Sequence, residues 1–188
     1  MSTYKENQRF EKQDFTGSFE KAEYEHCVFV NCNFNRGDMG GSVFTACTFE
    51  ECDLSMARIT GTAFRDCVFV RCKLLGLRFE TCNQIGLSFR FQQTQLSHSC
   101  FAGVKMRDTV FADCILEETD FTGADLTGTS FHQSNLLNAH FERTVLEKCD
   151  FRNAQYFNID PEINRLKKAK FSPEGLIGLL TKYGIEVG

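Results

Sequence analysis

The chain of 188 residues contains no Trp and only two Pro. No apolar run approaches the roughly 18 residues that a membrane-crossing helix needs, so no membrane association is expected. A basic excess is missing too. The 21 Lys and Arg stand against 25 Asp and Glu, a net charge of −4. That balance argues against direct nucleic-acid binding through basic patches and against a polybasic membrane contact. The first residues, MSTYKENQRFEKQDF, lack the apolar stretch of a secretory signal, so a cytoplasmic protein is expected. No Walker-type loop and no strand–glycine-loop–helix signature is found. The four histidines, His26, His98, His132 and His140, are scattered along the chain, and no Ser or Cys nucleophile pairs with them. An enzyme is therefore not expected, and neither are a cofactor, a metal or a small-molecule substrate.

What is abundant is Phe, at 20, and Cys, at 10. Both are periodic. Large apolar residues recur every five positions from Phe19, Tyr24, Phe29 and Phe34 to Phe79, then Gln84 and Phe89. A second frame, shifted by two, runs from Leu96 and Phe101 to Phe151 and Tyr156. Neither helix nor simple strand has this period, and a sustained fixed repeat means a solenoid. The residue two before almost every centre is small, as with Cys27, Cys32, Ala57, Cys114 and Ala124; Leu77, Leu87 and Val104 are the exceptions. A pair spaced by two shares one face of an extended segment, and a corner must follow.

Cys27, Cys47 and Cys67 are 20 apart, as are Cys32, Cys52 and Cys72. Four units therefore close one coil, and Phe29, Phe49, Phe69 and Phe89 are expected in one column. The expected architecture is an all-β solenoid, a right-handed quadrilateral β-helix of about seven coils. At roughly 4.8 Å per coil the rod is about 35 Å long. Nine cysteines fall at inward small positions and read as buried hydrophobes rather than zinc ligands. Cys100 alone faces outward and is the thiol expected to react.

The pattern small–polar–Leu/Phe–polar–polar, as in Ala124-Asp125-Leu126-Thr127-Gly128, resembles the pentapeptide-repeat family. The resemblance covers about residues 19–156. The expected organisation is an N-terminal cap at 1–18, the repeat helix at 19–156, and a C-terminal cap and dimerisation segment at 157–188. Gln84 occupies a centre, where a buried amide is costly; alternatively Ile85 turns inward. The segment 90–95 is assigned the two-residue insertion, either as a bulge or as a contact site displaying Phe91 and Gln92.

In the tail, Ser172 and Pro173 read as a helix start and Gly184 as its stop. Leu176, Leu179, Leu180 and Tyr183 form a stripe suited to covering the last coil, with Ile177 to one side. Ile185-Glu186-Val187 reads as a short strand. A C-terminal α-helical cap follows, with Leu176, Ile177, Leu179, Leu180, Tyr183, Ile185 and Val187 as the interface of a homodimer. The run Asp160–Arg165 and the ending Gly184–Gly188 resemble the tails of microcin-immunity proteins and of the Qnr and MfpA group. That resemblance implies a dimeric acidic rod that mimics duplex DNA, binds DNA gyrase or a related topoisomerase, and gives resistance or immunity to a gyrase poison. Residues 96–156 carry nine acids against five bases, whereas residues 19–95 are nearly balanced. Asp120 and Glu142 are expected on one face and Asp125 and Glu147 on its neighbour, as an acidic stripe for the partner. The alternative is a scaffold with an unrelated protein partner.

Overall fold

Residues 3–185 are described by the computed structural model, and they wind as a parallel β-solenoid. Each pentapeptide supplies a short extended segment with its small and large residues inward. The chain then turns a corner, often through a left-handed residue such as Asn31 at φ 50° or Gly123 at φ 69°. Glycine takes that conformation without strain, and Asn tolerates it better than most residues.

Two of the four faces are regular enough to form sheets. The first face carries β1 (Thr3–Glu6), β3 (Ala22–Glu25), β5 (Val43–Thr45) and β7 (Ala63–Arg65). The second carries β2 (Arg9–Glu11), β4 (Val28–Val30), β6 (Thr48–Glu50), β8 (Cys67–Val70), β9 (Phe89–Gln92), β10 (Val110–Ala112) and β11 (Ser130–His132). All neighbours in both sheets are parallel. The third and fourth faces are held by single parallel bridges, such as Asn33↔Asp53↔Lys73 and Cys100↔Asp120↔His140.

The 20-residue register puts Phe29 beside Phe49 and Phe49 beside Phe69. Their rings stack at 4.9 Å, within 10° of parallel. Phe111 and Phe131 continue the stack at 5.2 Å and 2°. These rings are fully buried. The small inward positions have a polar task as well. Cys47 Sγ donates to the Tyr24 carbonyl at 3.4 Å, and Thr144 Oγ1 donates to the Phe121 carbonyl at 2.9 Å. Each serves an oxygen one coil back, whereas the buried Ser42 hydroxyl, at the same kind of position before Phe44, has no partner. Nine cysteines are buried and Cys100 is partly exposed. Burial pushes the Cys82, Cys114 and Cys149 thiols up to about 12.

The irregularity lies earlier than expected. Phe69 pairs with Phe91, not Phe89, and Phe91 pairs with Phe111. The two extra residues therefore fall between Phe79 and Phe89. Phe89 stands on Cys67 at the small position. Gln84 is exposed, and its amide donates to the Phe79 and Cys82 carbonyls at 3.2 and 3.0 Å. Ile85 turns outward and is 75% exposed, while Leu87 and Phe89 fill the interior. The cost of burying an amide explains the excursion: the longer loop lets the polar centre leave and two apolar side chains replace it.

Both ends also depart from expectation. Residues 3–14 form one more rung, paired at an offset of 19 through Thr3↔Ala22, Arg9↔Val28 and Asp14↔Asn33. One missing residue takes them out of frame. Phe10 and Phe15 stack on Phe29 and Phe34 at 4.7 and 4.8 Å, as end plugs. Lys5 occupies a centre beneath Tyr24, with its ammonium 2.5 Å from Glu20 and over the Phe10 ring. An inward charge at an open rung discourages further strand pairing.

At the other end Tyr156 is 67% exposed and Phe157 takes the interior place. The cap is not α-helical: Glu174–Leu179 and Thr181–Tyr183 are 3₁₀ turns. Gly175 and Gly178 lower the α preference. Gly178 also lies so close to Phe157 that a Cβ would come within 2.5 Å of the Phe157 carbonyl oxygen. The start and stop follow the sequence: Gly175 N–H donates to Ser172 Oγ at 3.1 Å, and Gly184 is left-handed at φ 60°. The anticipated strand at 185–187 falls mostly outside the described residues, as does Val187.

Candidate partner-binding surfaces

The solenoid interior is filled by side chains, so the groups open to a partner lie on its outer surface. Alternating outward residues form columns along each face, one residue per coil. Of the proposed contact pair, Phe91 is completely buried in the stack and cannot meet a partner. Gln92, the next residue, is exposed on the second face. Phe91 and Phe89 are both aromatic and two apart, so their inward roles could not be separated without the strand pairing.

The four acids also separate. Asp120 and Glu142 stand on the fourth face, as expected. Neither has a carboxylate–cation pair among the described residues. Asp125 and Glu147 share the first face, but both are neutralised. Arg107 binds Asp125 at 2.6 Å and Arg165 binds Glu147 at 2.6 Å. Burial alone would raise the Asp125 pKa. Hydrogen bonds from the Arg107 guanidinium and from Thr127 outweigh it and hold the carboxyl below its usual range. The sequence separates Asp125 from Arg107 by 18 residues, and only coiling brings them together. The acidic stripe therefore occupies one face rather than two.

The cap extends that face. Asp160 and Glu162 lie beyond His140 and share Lys182, whose ammonium is 2.7 Å from each. Tyr183 adds a hydrogen bond to Glu162 at 2.7 Å. Lys182 holds both carboxyls below their usual range. Sequence reasoning did not single out Asp160 and Glu162 as acids of this face, because only coiling places them beneath Glu142.

Beside these charges the C-terminal end is apolar and open. Leu179 packs against the core. Leu176, Ile177, Leu180, Tyr183 and Ile185 are 37–57% exposed. The stripe expected to cover the last coil thus does so through Leu179 alone, because two short 3₁₀ turns cannot present a full α-helical face. A groove of about 670 Å³ runs between the cap and the last coil, lined by Leu137, Tyr156, Phe157 and Ile177. Among the described residues no His/Cys/Asp/Glu cluster could hold a metal, and no helix is long and apolar enough to cross a membrane.

Residues 87–151 match the family model for a pentapeptide repeat region, and residues 27–66 match that for pentapeptide repeats. Together the matches span more than half of the chain. No curated protein matches it. Two solved structures of trypsin-treated variants of QnrB1, a plasmid-mediated fluoroquinolone resistance protein, share the fold. Each has a TM-score of 0.64 and 20% identity over 100% of this chain, covering 100% and 98% of its own.

Proposed function

Because this chain belongs to the pentapeptide-repeat family, we propose that it is a non-enzymatic, cytoplasmic binding protein. It acts on an enzyme that grips duplex DNA, DNA gyrase or a related topoisomerase, and protects it from a poison. The observation that carries this reading is the fourth face, where Asp120 and Glu142 stand without a cation partner and Asp160 and Glu162, sharing Lys182, add one net negative charge beside an exposed apolar end. Carboxylates on a rigid ladder offer negative charge to a basic DNA groove. The fold shared with a fluoroquinolone resistance protein supports the choice of partner.

The apolar end supports a homodimer. Leu176, Ile177, Leu180 and Tyr183 would stay wet in a monomer. The opposite end is blunted by Lys5, so pairing through the cap is the favoured geometry. In this reading the solenoid is right-handed with about seven coils, and a twofold at the cap joins two rods of about 35 Å. The acidic ends then meet at the centre. A scaffold for another protein is the second reading, favoured by the groove lined with Leu137, Tyr156 and Ile177.

The test is supercoiling by purified gyrase, with and without the protein and with and without a fluoroquinolone. The protein should lower inhibition by the drug, and D120K/E142K should lose the effect while remaining dimeric. If wild type leaves both reactions unchanged, the gyrase reading fails.

A further inference from the structure

Two clefts adjoin beneath the C-terminal cap. The first is the groove of about 670 Å³, with Leu137, Tyr156, Phe157 and Ile177 as its apolar wall. The second, of about 440 Å³, opens on the fourth face, where His140, Glu142 and Asp160 line it. Asn138 and Asn158 belong to both clefts and form the ridge between them. The cap and the last coil thus frame one track, apolar at one end and acidic at the other. Its main aromatic is turned outward by the backbone. Tyr156 is left-handed at φ 58°, a conformation that a bulky residue adopts only under constraint. Phe157 takes the interior place, and the Tyr156 ring is left 67% exposed on the groove wall.

Charge along the track is one-sided. Glu174 lines the apolar cleft, and among the described residues no Lys or Arg does. In the second cleft Lys182 is engaged by Asp160 and Glu162, at 2.7 Å from each, while Glu142 has no cation. The side chains of Asn138 and Asn158, and of Gln155 beside them, make no hydrogen bond among the described residues. An amide offers both a donor and an acceptor, which suits the alternating N–H and C=O of an extended backbone. Both clefts are open channels on the rod surface. A small molecule would stay largely wet in them, whereas small-ligand sites bury about 70–90% of what they hold.

We propose that this track binds an extended basic segment of a partner protein. Its apolar side chains lie beside Tyr156 and Ile177, its backbone follows the amide ridge, and its Lys or Arg meets Glu142. The choice of a basic segment rests on charge complementarity: the negative lining rejects an acidic one. The inference deepens the scaffold reading and rests on it. Gyrase protection runs through the fourth-face acids and holds or fails separately.

The test is fluorescence anisotropy of the full chain with two labelled peptides, Leu-Leu-Ser-Arg-Arg and its reverse, which cover both chain directions. The better of the two should bind at least about tenfold more tightly than the same peptide with Glu for Arg or with Ser for Leu. Tyr156→Gly removes the ring and suits the left-handed backbone, so the variant keeps its fold; it should weaken the probe at least about threefold. E142Q should weaken the Arg peptide and leave one with Ser for Arg unchanged. D120N should leave peptide binding unchanged, and Y156G should leave fluoroquinolone protection unchanged. No saturable binding, equal binding of the Glu peptide, or binding unmoved by Y156G and E142Q overturns the proposal. Agmatine that displaces the probe as well as unlabelled peptide does overturns it in favour of a small cation. A probe that splits a dimer in light scattering overturns it in favour of a second copy in the track.

Discussion

Replacing Phe91 by Ala tests the register directly. The ring is fully buried. It stacks on Phe69 at 5.4 Å and on Phe111 at 5.1 Å. Edge contacts to Phe79 and Phe101 lie at 6.2 and 6.4 Å. Loss of the buried ring forfeits about 2–3 kcal/mol of transfer energy. The strands above and below are pinned by their ladders, so the cavity collapses poorly and the usual total is about 3–5 kcal/mol. Two well-formed stacks, each worth about 0.5–1.5 kcal/mol beyond area, place Phe91 in the upper part of that range. About 4 kcal/mol is nearly three orders of magnitude in the folded-to-unfolded ratio. Gln92→Ala, on the solvent side, should change stability by less than about 0.5 kcal/mol. Urea unfolding followed by far-ultraviolet circular dichroism measures both. A solenoid broken in mid-rod can lose cooperativity, so slope and midpoint are compared together. A Phe91→Ala cost below about 1 kcal/mol would place the ring outside the stack and refute the register.

Thiol titration of the native protein should label Cys100 first and the nine buried cysteines only on unfolding. Burial raises the Cys100 pKa, with Glu80 and Asp120 adding to the rise, so labelling should be slower than for a free thiol. Rapid labelling of several cysteines in the folded state would contradict the inward ladders. The Arg107–Asp125 pair predicts a pH effect. The folded Asp125 pKa is lowered, so the pair stabilises above the unfolded value of about 4 and the contribution is lost as pH falls through the folded value. Arg107→Ala should therefore be less stable than wild type near neutral pH and approach it in acid. Denaturation midpoints that differ equally at all pH values would show that the pair is not the cause.

The five-residue period, the 20-residue coil and the inward cysteines were all readable from the chain, because a solenoid core is a one-dimensional pattern. Each centre meets the centre one coil away, and spacing alone identifies the partner. The same economy fails wherever the spacing slips. Phe89 and Phe91 are equally apolar, and only the strand pairing selects Phe91 for the stack. The residues before Ala22 form another rung, hidden by one missing position. Tyr156 yields its place to Phe157, and the cap folds as 3₁₀ turns because glycines and the Phe157 contact outweigh the apolar stripe. Charge is where the chain was least informative. Asp125 and Arg107, or Glu147 and Arg165, lie 18 residues apart and become neighbours only through coiling. Sequence determined how many acids there are. Tertiary structure decided which stay unpaired, because electrostatic pairing depends on distance in space and adjacent coils are one strand spacing apart.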